Sequence, residues 1–170
     1  MLWVYIVGSI VALIGMSAFF GAPYVPSHRK DVRRLFEEFA PIGKGDVVLD
    51  IGSGDGLVLR EASRRGAKAI GYEIHPLFVA ISKALSWNDH NVTVRWANAW
   101  TAAFPENVTL LYIFSVGRDS ARLVKKVQHE ANILDRPLTL ICYGNALHGR
   151  EVTKQFGAYY LYVFEPLHLR

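Results

Sequence analysis

The residues most suited to chemistry are concentrated in a short glycine-rich stretch. Gly52, Gly54 and Gly56 alternate with other residues in DIGSGDG (50–56), directly after the apolar run 47–49. A loop with so few side chains between a strand and a helix lets a ligand touch the backbone amides, and a helix N-terminus offers those amides to polar or anionic groups. Glycine spacing alone is a weak signal, so a second element is needed.

Glu73 provides that second element. It ends the next apolar run, residues 69–73, and lies 17 residues beyond Gly56. A carboxylate at this place can accept both ribose hydroxyls of a nucleoside that lies across the strand ends. The loop and Glu73 together predict a nucleoside-binding site far more specifically than either feature alone.

The charges in the loop favour one class of nucleoside. A dinucleotide-binding loop has the spacing G-x-G-x-x-G and leaves room for a pyrophosphate, whereas this loop reads G-x-G-x-G and carries Asp50 and Asp55. Each aspartate beside a pyrophosphate would cost on the order of 1 kcal/mol or more at partly exposed contact distances. The same charges attract a cation, and S-adenosylmethionine carries both an amine and a sulfonium.

The sequence around these residues resembles a known group of enzymes. VVLDIGSGDG (47–56) followed by GYEIHP (71–76) is similar to motifs one and two of class I methyltransferases. With an apolar N-terminal segment, a P-x-V-P-S stretch (23–27) and Trp100, the pattern resembles the small membrane-anchored lysine methyltransferases that act on the mitochondrial adenine nucleotide translocase and the c-subunit of ATP synthase, and their prokaryotic relatives. The resemblance covers about residues 1–118.

This resemblance implies a set of cofactor contacts. The three glycines would approach the methionine part of S-adenosylmethionine, Asp50 would orient the loop and reach the amino group, and Glu73 would bind the ribose. Asn98 stands where the family has an aspartate, and its side-chain oxygen can still accept from the adenine amine. His75 stands where the family has an asparagine. It would either contact the edge of the adenine or only begin the next helix, before Pro76. The full predicted set is Asp50, Gly52, Ser53, Gly54, Asp55, Gly56, Glu73, Ile74, Asn98 and Ala99.

Methyl transfer from a sulfonium is an in-line displacement, so positioning of the acceptor carries most of the catalysis. If the acceptor is lysine, neutralising it at about pH 7 costs roughly 4.6 kcal/mol, and an apolar pocket with a few hydrogen-bond acceptors lowers that cost. Tyr24, Trp100 and Ser115 are the candidates for such a pocket. Residues 113–117 lack the Asn/Asp-Pro-Pro-Tyr/Phe sequence of enzymes that methylate nucleic-acid bases, so no nucleic-acid substrate is expected.

The N-terminal segment predicts a membrane anchor. Residues 2–22 would form about 31 Å of helix, close to the hydrocarbon thickness of a bilayer. A signal peptide would need a basic start and a shorter apolar stretch, and a core helix would rarely continue through residues 1–27 without a charge. The segment is followed by basic residues, Arg29, Lys30, Arg33 and Arg34. This flank predicts a single-pass protein with its N-terminus outside and its domain facing the cytoplasm, or the matrix if it is mitochondrial.

Three regions are expected: a transmembrane anchor (1–22), a linker with an N-terminal helix (23–44) and a methyltransferase domain (45–170). Short apolar runs alternate with amphipathic stretches in the third region, as in a βαβ sheet. The predicted strands are 46–51, 67–73, 91–96, 108–114 and 137–143, and the predicted helices are 28–40, 56–65, 76–88 and 119–132.

Residues 150–165 predict a closing hairpin with its turn at Gly157. In the last helix Lys126 is expected on the solvated face, and the predicted buried stripe is Ala121, Val124, Val127 and Ala131. The expected fold is therefore α/β and Rossmann-like, of the class I methyltransferase type. Its sheet would be mostly parallel, with six or seven strands and a C-terminal antiparallel hairpin, and one transmembrane helix would precede it.

Composition limits the partners. The net charge of +4 is weak evidence for nucleic acid and is compatible with an anionic membrane surface. Cys142 is the single cysteine, so no internal disulfide and no cysteine-based metal cluster can form, and no metal is expected. The expected partners are the bilayer and a membrane protein with an accessible lysine. The alternatives are a methyltransferase of lipids or membrane-partitioned small molecules, an NAD-dependent reductase, and a non-enzymatic nucleoside-binding module.

Overall fold

The computed structural model describes residues 1, 3–5, 8 and 28–167. In the last of these ranges, seven strands form one sheet and helices pack on its two faces. The strands are β1 (Val47–Ile51), β2 (Lys68–Glu73), β3 (Val92–Trp96), β4 (Leu110–Ser115), β5 (Leu138–Gly144), β6 (Lys154–Phe156) and β7 (Tyr159–Phe164). The helices are α1 (Arg29–Arg34), α2 (Leu57–Ser63), α3 (Pro76–Leu85) and α4 (Ser120–Leu134). A π-helical turn (Leu35–Phe39) extends α1, and a 3₁₀ turn (Gly117–Asp119) precedes α4.

The strand order is β3-β2-β1-β4-β5-β7-β6. Strands β1 to β5 run parallel, and β7 lies antiparallel between β5 and β6. Strand β1 is buried along its whole length, as expected for the central strand of a parallel sheet with both faces covered. The strand order reverses between β1 and β4. In open α/β sheets, ligands bind in the crevice outside the carboxyl ends of the strands at such a reversal.

Alternate residues of the central strand contact two separate helix layers. Val48 packs in a cluster with side chains of α1, α2 and α3, whereas its neighbour Leu49 packs in a cluster with side chains of α4. Because successive strand residues point to opposite faces, α1, α2 and α3 cover one face of the sheet and α4 covers the other.

The predicted Rossmann-like sheet is confirmed. Each of the five predicted parallel strands lies within two residues of its predicted bounds. The predicted hairpin is present as β6 and β7, and Gly157 at its turn has a φ of 56°. The buried stripe of α4 was predicted wrongly in part, because Ala121 is exposed and Leu123 is buried instead. The larger apolar side chain takes the inward position, and Lys126 also turns inward to pair with Glu130 at 2.6 Å.

Most of the predicted anchor (1–22) and residues 23–27 of the predicted linker lie outside the described residues, so they remain predictions. Within the described part of the chain, no helix is both long enough and apolar enough to cross a membrane. The helix predicted over 28–40 is present as α1 with its π-helical extension, which ends at Phe39, ahead of Pro41.

Glu61 of α2 fastens α1 to the rest of the domain. Its side chain is 1% exposed, and its carboxylate pairs with Arg29 of α1 at 2.7 Å, with Arg65 at 3.3 Å and with Arg64. Burial by itself would raise the pKa of Glu61, but the three arginines outweigh burial and lower it. The ionised carboxylate therefore stabilises the folded protein.

Replacing Glu61 with alanine should lower the free energy of unfolding by about 2 kcal/mol near neutral pH. Removing one partner of a buried ion pair costs about 3–5 kcal/mol when the other charge stays buried, and the loss is smaller here because Arg29 and Arg64 reach solvent. Because the folded-state pKa is lowered, this stabilisation is present above the ordinary glutamate pKa and disappears as the pH falls through the folded-state value. Urea unfolding at several pH values measures both effects.

Glu38 provides the matched control for this prediction. It pairs with Arg34 at 3.1 Å, and both side chains are about half exposed. Solvent screens a pair of exposed side chains, so their attraction adds little to stability, and Glu38→Ala should change stability little. Equal losses in the two variants would contradict the role given to Glu61.

Candidate active site

The glycine loop connects the end of β1 to the start of α2. Gly52, Gly54 and Gly56 have φ angles of 79°, 52° and 78°, which L side chains rarely adopt. A Cβ at Gly52 would meet no atom within 4 Å, so the backbone there is open to a ligand. A Cβ at Gly56 would collide with Ser82 Oγ of α3. Gly56 is therefore required for packing against α3, a role that the sequence did not reveal.

Glu73 lies beside this loop, at the C-terminal end of β2. The residue is 6% exposed. The Gly54 N–H donates to Glu73 Oε2 at 2.8 Å, and the His75 N–H donates to Oε1 at 2.8 Å. Each carboxylate oxygen keeps a second lone pair, so the two oxygens can also accept the two hydroxyls of a diol. The structure thus brings the glycine loop and Glu73 together, as the sequence predicts.

Gly71 of β2 allows this close approach, and sequence reasoning missed its importance. A Cβ on Gly71 would lie 2.5 Å from Ser53 Oγ and 2.7 Å from Leu59 Cδ1. The N–H groups of Gly52 and Ser53 both donate to the carbonyl of Tyr72, at 2.8 and 3.1 Å. Ser53 Oγ is buried and has no hydrogen-bond partner in the described part of the chain. The pattern G-Y-E was the only sign of this packing in the sequence.

Asp50 of β1 is the unusual group of the site. It is 3% exposed, and its carboxyl has no hydrogen-bond or ion-pair partner among the described residues. Burial, followed by the charges of Glu73 and Asp55, raises the pKa of Asp50 well above its usual range. A buried carboxyl without a partner is costly. A ligand with a positive charge would supply the missing partner.

Asp55 is engaged within the loop itself. Its Oδ1 accepts the Leu57 N–H at 3.2 Å at the start of α2, and its Oδ2 pairs with Arg60 Nη2 at 3.3 Å. Arg60 also donates to the Asp55 carbonyl at 2.5 Å. The sequence suggested that Asp50 and Asp55 act equally on a cationic ligand. The structure leaves Asp50 as the unpaired aspartate of the two.

Comparisons with known proteins agree with this geometry. A methyltransferase domain family matches residues 49–128, which include the glycine loop and Glu73. The lysine N-methyltransferase of the ATP synthase c-subunit from Xenopus laevis is 30% identical over 134 residues, which cover 72% of this chain and 58% of that protein. Residues 49–128 belong to a methyltransferase domain family, and the sheet has the fold of a class I methyltransferase.

One further relative and one solved structure are similar to this chain. A protein-lysine N-methyltransferase of Saccharolobus islandicus is 42% identical over 55 residues, 31% of this chain and 34% of that protein. The fold matches that of an RNA methyltransferase from Salinibacter ruber in complex with S-adenosyl-L-homocysteine, with a TM-score of 0.72 at 20% identity over 86% of this chain and 97% of that one. The chain spans about half the length of its curated eukaryotic relatives.

The cofactor of this methyltransferase is S-adenosylmethionine, and the site suits it. The unpartnered Asp50 carboxyl matches the positive charges of the cofactor, and the free lone pairs of Glu73 match its ribose diol. The open backbone at Gly52 leaves room for the methionine part of the cofactor. The family match decides between this cofactor and a dinucleotide, a choice that the glycine spacing had left partly open.

Three further predicted cofactor residues follow the ends of β2 and β3, namely Ile74, Asn98 and Ala99. Ile74 is 44% exposed, and its carbonyl accepts the Trp96 Nε1–H at 2.9 Å. Asn98 is exposed, but its Oδ1 accepts the Trp100 N–H at 3.1 Å, so this oxygen is partly used by its own turn. Ala99 follows in the same turn and is half-buried.

The three candidates for the acceptor pocket are not brought together among the described residues. Tyr24 lies outside those residues. Trp100 packs with the α4 side of the core, and Arg122 lies over its ring at 4.5 Å, which gives this indole a structural contact. Ser115 is 1% exposed at the end of β4, next to β1 in the sheet. Ser115 thus lies at the crevice, with its hydroxyl buried.

A loop that the sequence did not single out, the one after β5, contacts the end of β4 at Ser115. The Asn145 side chain, after β5, donates to the Ser115 carbonyl at 2.9 Å. The His148 N–H donates to Ser120 Oγ at 2.7 Å, and the His148 ring lies 3.9 Å from the position of a Cβ on Gly117. These contacts join the loops after β4 and β5. Among the described residues, no group of three His, Cys, Asp or Glu side chains could hold a metal ion.

Proposed function

We propose that this methyltransferase is a membrane-bound protein-lysine N-methyltransferase that acts on a membrane protein. The observation that carries the proposal is the buried, unpartnered Asp50 carboxyl beside Glu73, because this pair fits a cationic nucleoside. Support for lysine as the acceptor comes from relatives in a vertebrate and an archaeon that are both named lysine N-methyltransferases.

The chain's residues would divide the work between binding and positioning. Asp50 would accept hydrogen bonds from the amino group of the cofactor, and Glu73 would accept from both ribose hydroxyls while the N–H groups of Gly54 and His75 hold it in place. Asn98 would contribute its remaining lone pair at the adenine. Bound S-adenosylmethionine supplies an electrophilic methyl group.

The acceptor side would be formed by the joined loops after β4 and β5. A lysine must lose its proton before it can attack, at a cost of roughly 4.6 kcal/mol near pH 7. We assign this side to Ser115, at the end of β4, and to Asn145 and His148, in the loop after β5 that contacts it. Holding the lysine amine in line with the transferring methyl group is the main contribution that these residues would make.

The proposed location is the membrane, with residues 2–22 as a single-pass anchor and the domain on the cytoplasmic or matrix side. The uncharged segment 1–27 supports this. So does the cationic start of the domain, where four basic residues of α1 are all exposed, namely Arg29, Lys30, Arg33 and Arg34. Basic residues that follow an apolar span favour the cytoplasmic side.

A labelling experiment tests the acceptor class. Membranes incubated with the purified protein and S-adenosylmethionine labelled in its methyl group should contain the label in the protein fraction after lipid extraction. Label found wholly in the lipid would exclude lysine and would favour a lipid methyltransferase. The same incubation with Asp50→Asn gives the background.

A further inference from the structure

Helix α3 carries three of its apolar side chains on the outside. Leu77, Ile81 and Leu85 recur at a spacing of four residues, so they form one stripe, and they are 57%, 36% and 54% exposed. On the inner side Val79 is 7% exposed, and two serines are also buried, Ser82 within the helix at 0% and Ser86 directly after it at 8% exposure. The usual amphipathic arrangement is partly reversed.

The reversal has a structural cause on the inner side only. Gly56 of the cofactor loop lies so close to α3 that even a Cβ there would collide with Ser82 Oγ. A small residue is therefore needed at position 82. Nothing in this packing requires leucine and isoleucine on the opposite side, so the exposed stripe calls for a separate explanation.

Two tryptophans extend the apolar surface at both ends of the helix. Trp96 ends the edge strand β3 and is 70% exposed, and its indole N–H bonds the carbonyl of Ile74. Because Val92 and Val94 of β3 pack with the cluster of α1, α2 and α3, the alternation of the strand places Trp96 on the same face. Trp87 follows α3 and is 83% exposed. We call this surface the α3 patch: Ile74, Leu77, Ile81, Leu85, Trp87 and Trp96.

The rest of the same face indicates what occupies the α3 patch. Helix α1 covers this face too, and its exposed residues Arg29, Lys30, Arg33 and Arg34 are cationic. Exposed apolar side chains with tryptophan, next to basic residues, suit the interfacial region of an anionic bilayer. Contiguous exposed apolar surface commonly marks an interaction site.

The length of the linker favours the same occupant. Only residues 23–28 separate the apolar segment 2–22 from the start of α1. Six residues span at most about 20 Å when fully extended. If residues 2–22 lie in the bilayer, the face that carries α1 and α3 is held near its surface. This step rests on the proposed membrane anchoring.

We propose that the α3 patch inserts into the interfacial layer of an anionic lipid bilayer. Ile74 belongs to the patch and directly follows Glu73, so docking would hold the edge of the cofactor site at the membrane surface. Acceptor groups that emerge at the lipid–water boundary would then be within reach of the crevice.

A labelled cysteine at position 85 tests this docking. Burial raises the pKa of the native Cys142 thiol to about 12, so it should stay unlabelled. The full chain carrying Leu85→Cys, labelled with a polarity-sensitive fluorophore, is reconstituted into phosphatidylcholine–phosphatidylglycerol vesicles that contain a spin-labelled lipid as a quencher. The control is Ile133→Cys, because Ile133 is 62% exposed on α4, on the opposite face. Both variants must still bind S-adenosylmethionine.

The label at 85 should emit at shorter wavelength than the label at 133 and should be quenched by the spin-labelled lipid, more strongly with the anionic lipid than without it. Aqueous emission from both positions would overturn the proposal. A blue shift without lipid quenching would also overturn it, because a second copy or another segment of the chain would then cover the patch. No acceptor or turnover is involved, so the outcome is independent of whether lysine is the substrate.

Discussion

Asp50→Asn should weaken S-adenosylmethionine binding about 10- to 100-fold and, at the same time, make the folded protein more stable near neutral pH. A hydrogen bond to a charged group contributes about 1.5–3 kcal/mol, which corresponds to this loss of affinity. The gain in stability arises because the variant no longer buries a carboxyl that has no partner among the described residues.

The sign of the stability change follows from the pKa. Burial and the nearby charges of Glu73 and Asp55 raise the pKa of Asp50, so the folded protein holds this proton more tightly than the unfolded chain does. The stability of the native protein should therefore fall as the pH rises from the ordinary aspartate range through the raised pKa. Asparagine removes this dependence, with a gain of about 1–3 kcal/mol expected above the raised pKa.

Calorimetry of cofactor binding and urea unfolding, each at several pH values, test the two effects. Binding to the native protein should tighten as the pH rises through the pKa of Asp50, whereas binding to the variant should lack that dependence. A variant that binds the cofactor normally, or that is less stable than the native protein at neutral pH, would contradict the role assigned to Asp50.

Glu73→Ala should weaken S-adenosylmethionine binding about 100-fold or more. The carboxylate would lose two hydrogen bonds to ribose hydroxyls, each worth about 1.5 kcal/mol or more. The N–H groups of Gly54 and His75 would also lose their acceptor, so some loss of stability should accompany the change. Binding is therefore measured by calorimetry on protein whose folded fraction is known, with the exposed Glu151→Ala as the control.

Adenosine separates the two carboxylates. It has the ribose of the cofactor but no amino-acid part. Asp50→Asn should leave the affinity for adenosine unchanged, whereas Glu73→Ala should reduce it as strongly as it reduces the affinity for S-adenosylmethionine. Equal effects of both substitutions on adenosine would show that the two contacts are assigned wrongly.

The sequence predicted the parts of this molecule that depend on local pattern. Strands β1 to β5 were predicted from apolar runs that alternate with amphipathic stretches, and each lies within two residues of its predicted bounds. The turn of the hairpin was predicted from Gly157. The approach of Glu73 to the glycine loop followed from the parallel order of β1 and β2, because neighbouring parallel strands end at the same edge.

The contacts that were missed join residues far apart in the chain. Ser82 determines the role of Gly56, and Arg122 of α4 lies over the ring of Trp100. The loop with Asn145 and His148 meets the end of β4 only after the sheet has formed. Residue patterns carry little information about such contacts, since they depend on which helix face meets which strand.

The most direct test of the proposed function is to locate the transferred methyl group. Membranes are incubated with the purified protein and S-adenosylmethionine that carries a deuterated methyl group, and the membrane proteins are digested and sequenced by mass spectrometry. We expect deuterated methyl groups on the side-chain nitrogen of lysine in a membrane protein, and their loss with Asp50→Asn or Glu73→Ala. Deuterated methyl groups on lipid or on RNA, with none on lysine, would contradict the proposed function.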